Sequence, residues 1–97
     1  MNKWVTLKGT VTSFDWTNPH SYVYLDVKDD KGNVEKWTSE GGSPLMLTRY
    51  GWNRNIIKKG DQVTVSGHPA KDGSKFMRLE KLVLPNGQEL PGNALVG

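Results

Sequence analysis

The apolar residues at the start of this chain change phase part-way along. Val5, Leu7 and Val11 fall on odd positions, with Gly9 in the same phase between them, and Phe14 and Trp16 then fall on even ones. Side chains of a strand alternate between its faces, so one face cannot stay inward across such a slip. An extra, bulged residue restores the inward face and bends the strand. Residues 4–15 therefore read as one long bent strand, of the kind a barrel needs where a strand serves two sides.

The rest of the chain fits that beginning. Residues 21–28 alternate cleanly, with Val23, Leu25 and Val27 on one face and Tyr22, Tyr24 and Asp26 on the other. Asp29-Asp30-Lys31-Gly32-Asn33 is a turn cluster, and residues 34–39 return as the second arm of a hairpin. Ser43 is a good helix N-cap, Pro44 suits the first helical position, and Leu45, Met46, Leu47 and Tyr50 give a short apolar face before Gly51. That predicts a helix of about two turns. Trp52-Asn53-Arg54-Asn55 follows as an irregular connection, with Ile56-Ile57 packing back.

Residues 62–66 form a fourth strand, and His68 falls in the opposite phase or in the turn that follows. Residues 76–84 form a fifth. Pro85-Asn86-Gly87 predicts a hairpin, because Asn-Gly tolerates the positive φ of a type I′ turn. Residues 88–90 add a short sixth strand, and the tail from Pro91 reads as loose. The order β-β-β-α-β-β is that of the OB-fold, so a mainly β chain, one domain over residues 1–97, is expected to form a small five-stranded OB-like barrel with one short helix between strands 3 and 4. A small β-sandwich is the alternative.

Charge and composition limit the function. The net charge of +3, from 13 basic and 10 acidic residues, is mild, and Lys58-Lys59 is the longest basic run, which argues against a nucleic-acid partner. With no cysteine there is no disulfide and no thiolate ligand or nucleophile. No apolar run approaches the roughly 20 residues that span a bilayer. Met1-Asn2-Lys3-Trp4 is not a signal peptide and reads as the opening of a domain whose leader has been removed.

Several spaced motifs carry a resemblance. Val5-Thr6-Leu7-Lys8-Gly9-Thr10-Val11, Trp16-Thr17-Asn18-Pro19-His20, Glu40-Gly41-Gly42-Ser43-Pro44, Arg49-Tyr50-Gly51-Trp52-Asn53-Arg54, Lys59 to His68 and Lys71-Asp72-Gly73-Ser74 together resemble a family of small exported bacterial proteins, catalogued only as a domain of unknown function. The resemblance runs from about Val5 to Leu90. It implies a periplasmic or secreted protein, made with a signal peptide and often with a histidine-containing segment just after it. It brings no established activity.

Four constellations could carry chemistry. His20 and His68 would flank the binding face of an OB-fold and could ligate a transition metal with Glu40 or Asp72; otherwise His20 serves its turn and His68 is merely exposed. Trp16, Tyr22, Tyr24 and Trp37 could stack on the bases of a single-stranded nucleic acid or on sugar rings, or could simply stabilise sheet and core. Glu40-Gly41-Gly42-Ser43 could hold an anion at a helix start, although Ser43 as cap and Glu40 paired with Arg49 or Arg54 is the simpler expectation. No nucleophile signature is present, so a His20–carboxylate acid–base pair is what remains of an enzyme reading. The sequence favours a binding module for a small molecule or partner protein, with no obligatory cofactor. Its site is expected at the rim formed by Trp16, Asn18, His20, Tyr22, Glu40, Ser43, Arg49, Trp52, Arg54 and His68. Asn18 and His20 would give polar contacts, Trp16 and Trp52 apolar walls, and Arg54 an anion partner.

Overall fold

Eleven residues of alternating burial open the fold. The computed structural model describes residues 3–93, and its elements are β1 (Val5–Asp15), β2 (Tyr22–Lys28), β3 (Val34–Glu40), α1 (Pro44–Arg49), β4 (Gln62–Pro69), β5 (Phe76–Val83) and β6 (Glu89–Pro91). The first half of β1 pairs with β4, from Val5↔Gly67 to Thr10↔Gln62, and the second half pairs with β2, from Thr10↔Asp26 to Asp15↔Tyr22. The register shifts between Val11 and Ser13, where the phase slip places the bulge. The Val11 backbone there bonds instead to the Gly60–Asp61 turn, its N–H to the Asp61 carbonyl at 2.9 Å and its carbonyl to the Gly60 N–H at 2.8 Å. Gly9 sits at the bend: a Cβ there would lie 2.8 Å from the Asp26 carbonyl oxygen, so only glycine lets the strands cross this closely.

Closure is parallel. Thr38↔Phe76, Ser39↔Met77 and Glu40↔Arg78 join β3 to β5, so β1, β2, β3, β5 and β4 form a closed ring and the sandwich alternative falls away. Val11, Val23, Leu25, Val65, Met77, Leu79 and Leu82 fill it, and α1 adds Leu47, which is fully buried. Ser43 caps α1 by accepting the Met46 N–H at 3.2 Å. Among the described residues no helix is long and apolar enough to cross a membrane.

Three local expectations need correction. β4 runs on through His68 and Pro69, because a register shift on β5 lets Gly67 and His68 pair with Leu79 and Arg78. The β5–β6 hairpin is not type I′: among the described residues no non-glycine residue has positive φ, and within this turn only Gly87 (φ 90) is left-handed. Pro85 presets the first position of an ordinary turn, closed by the Gly87 N–H on the Leu84 carbonyl, and Gly87 then supplies the left-handed residue. Nor is the chain from Pro91 to Asn93 loose. The Gly92 N–H donates to the Glu80 carbonyl at 2.9 Å, and the Asn93 amide donates to the Leu79 carbonyl at 2.6 Å. Residues 1–2 and 94–97, the outer parts of the opening and tail segments, lie outside the described residues.

Candidate functional site

Strict alternation along β2 puts Val23, Leu25 and Val27 in the core and leaves Tyr22, Tyr24 and Asp26 on the outer face, half-buried by neighbours. The two tyrosine rings stack with centroids 6.3 Å apart and planes 25° apart. Tyr22 Oη donates to Glu40 Oε2 at 3.1 Å, and Tyr24 Oη donates to Asp15 Oδ2 at 3.2 Å. These carboxylates come from the strands on either side, since Asp15 pairs with Tyr22 and Tyr22 with Glu40.

The β1–β2 turn delivers His20 to the same place. The Asn18–Pro19 peptide is cis, and Thr17 Oγ1 donates to the His20 carbonyl at 3.0 Å. The β2–β3 ladder continues past both strands through Ser21 N–H to the Gly42 carbonyl and Gly41 N–H to the Ser21 carbonyl. That pins the corner, and His20 Nδ1 lies 3.2 Å from Glu40 Oε2. His20, Tyr22, Tyr24, Glu40 and Asp15 thus form one connected polar and aromatic group.

Both phenols titrate above the ordinary 10.0. Tyr22 is raised first by its hydrogen bond to Glu40, and Tyr24 first by desolvation and then by its bond to Asp15. A phenol that donates to a carboxylate resists ionising beside it. The stabilisation from these bonds is present below the ordinary tyrosine pKa and is lost as pH rises through the folded values. In Glu40→Gln, Tyr22 should titrate closer to 10.0 while Tyr24 keeps its raised value; phenolate absorbance followed against pH checks this. Two unchanged curves would mean that Glu40 does not control Tyr22.

The second histidine belongs elsewhere. His68 Nδ1 lies 2.9 Å from the Lys3 carbonyl oxygen, its Nε2 lies 3.8 Å from Glu80 Oε2, and Trp4 packs edge-on against its ring at 5.4 Å. Arg78 stands between His68 and Glu40 in register, so the Glu40 and His68 backbones are two strand spacings, about 10 Å, apart. His68 is engaged with Lys3, Trp4 and Glu80 while Glu40 is engaged with His20 and Tyr22, so the set His20, His68 and Glu40 is not joined, and among the described residues no group of three or more His, Asp or Glu is placed to hold a metal ion. Asp72 is occupied in its own loop, where its Oδ1 accepts the Ser74 N–H at 2.9 Å and that bond lowers its pKa.

Other expected rim residues also separate. Trp52 is no wall of a surface site: it is 2% exposed, its ring lies 6.0 Å from Phe14, and its Nε1 donates to the Pro91 carbonyl at 2.8 Å. Trp16 leans half-buried on Phe14, and Trp37 lies in the core with Lys75 Nζ 5.7 Å from its ring centroid. Ser43 serves as the helix cap. Arg49 and Arg54 are exposed on α1 and the segment after it, and Glu40 contacts His20 and Tyr22 instead of either arginine. Asn18 is exposed at the corner. Asp15 and Tyr24 are the members that the expected rim lacked. Carrying the phase slip through to the end of β1 would have turned Asp15 outward, opposite Phe14 and Trp16.

A family of unknown function (DUF6152) matches residues 1–78, most of the chain. The chain belongs to that family. All five members of the candidate group lie within the part that matches DUF6152. No curated protein matches the sequence. Among solved structures, the mitochondrial single-stranded DNA binding protein Rim1 from S. cerevisiae is similar with a TM-score of 0.57. The match covers 97% of this chain and 99% of that one, at 12% identity. At that identity the likeness shows the fold alone, an OB-like barrel.

Proposed function

We propose that this DUF6152 domain is a binding module whose ligand lies on the outer face of β2 and β3, against Tyr22 and Tyr24, with His20 at one end. The observation that carries this reading is the stacked tyrosine pair with both hydroxyls anchored to carboxylates on neighbouring strands. Anchored rings lose little further freedom when a ligand packs on them. The face supports the reading by position too, because OB-folds bind on strands 2 and 3 beside the loop that joins strands 1 and 2.

The solved neighbour binds single-stranded DNA, but this face is poorly suited to a phosphate backbone. Glu40 and Asp15 stand at the tyrosine hydroxyls, where such a ligand needs positive charge.

A fragment screen tests the site without presuming the ligand. Isotope-labelled protein exposed to sugars, amines, phosphates and planar heterocycles should show amide shifts concentrated at Tyr22–Asp26 and Thr38–Glu40. Binding should weaken roughly tenfold when Tyr22 and Tyr24 are both replaced by alanine. Shifts confined to Val63–Ser66, or a double variant that binds like the parent, would move the site elsewhere.

A further inference from the structure

The outer face of β2 and β3 is electrically divided. At the His20 end Asp15 and Glu40 each accept a tyrosine hydroxyl through one oxygen; Asp15 Oδ1 and Glu40 Oε1 take no hydrogen bond among the described residues. The lysines of this face lie further along: Lys36 holds Asp26 at 3.1 Å, and Lys28 ends β2. Arg78, next to Glu40 across the barrel closure, turns its Nε to Glu80 at 3.4 Å. So a chain of net charge +3 presents two carboxylates beside its half-buried, outward-facing aromatic pair.

We infer that the occupant of this face is a basic, extended segment of a protein partner, with lysine or arginine side chains laid across Tyr22 and Tyr24. This rests on the reading of the β2–β3 face as the binding surface. Tyrosine ring faces attract cations, and the free carboxylate oxygens complete the pairing. Asp15, Tyr22 and Glu40 lie on three successive strands, so the backbones bearing the two carboxylates stand about 10 Å apart. An extended chain with two basic side chains on one face can place one at each carboxylate.

Titrating the labelled protein with an oligolysine peptide, its fully Nε-acetylated form and an oligothymidylate tests this. Oligolysine should shift the Tyr22, Tyr24 and Glu40 amides, and the shifts should weaken with salt. The acetylated peptide and the oligothymidylate should not produce them. Asp15→Asn and Glu40→Gln keep an acceptor for each tyrosine, so the fold should persist, as thermal unfolding will show, while affinity falls about three- to fivefold in each. Equal binding of the acetylated peptide, or parent-like affinity in both variants, overturns the inference. If oligothymidylate or a neutral fragment shifts these amides and oligolysine does not, the charge class is wrong and the site stands. If no probe reaches the face, both readings fall.

Discussion

Trp52→Ala should lower the free energy of unfolding by about 4 kcal/mol. The side chain is 2% exposed, packs near Phe14 and donates its indole N–H to the Pro91 carbonyl. Truncation removes the largest fully buried side chain, leaves a void and orphans an acceptor on the strand that ends the sheet. Domains of this size have only about 5–15 kcal/mol in total, so much of the native margin goes with it. Urea unfolding followed by far-ultraviolet circular dichroism measures the loss. Trp52→Phe keeps most of the bulk and should cost far less. A change below about 1 kcal/mol for the alanine variant would show that Trp52 is not core, and would return it to consideration as part of a surface site.

Gly67→Ala should be comparably severe, at about 3 kcal/mol or more, because the two strands cannot both keep their places. A Cβ at Gly67 would overlap the Arg78 carbonyl oxygen and lie 2.9 Å from its carbon and 3.2 Å from the Glu80 nitrogen. These are backbone atoms, so no side chain can swing away. The position is where β4 meets the register shift of β5, with Ser66 opposite Lys81 and Gly67 opposite Leu79. Relief requires opening the β4–β5 ladder, and each ladder bond lost costs about 1 kcal/mol. A sharply lower thermal midpoint, or failure to yield folded protein, is the expected result. A variant that melts within a few degrees of the parent would mean that the strands approach less closely than described.

Much of this architecture can be read one strand at a time. The alternation along β2, the slip inside β1 and the Ser43-Pro44 helix start are local patterns, and local sterics and hydrogen bonding enforce them. What resisted reading depended on distant partners. Trp52 and Trp16 look alike as loop aromatics, yet one fills a void between Phe14 and the chain near Pro91 while the other stays half-buried. Glu40 had two arginines nearby in sequence but took His20 and Tyr22, because the β2–β3 register sets Tyr22 directly across from it. Asn86-Gly87 invited a type I′ turn, but Pro85 had already set the first turn position.

The order of strands and helix, the inward residues of β2 and the bend in β1 were decided by the sequence itself, since periodicity and turn chemistry act over a few residues. The parallel β3–β5 pairing that closes the expected barrel, the grouping of Asp15, Tyr22, Tyr24, Glu40 and His20, and the separation of His68 from them were decided by tertiary structure alone. Strand register determines which outward side chains become neighbours, and register follows from how the whole core packs.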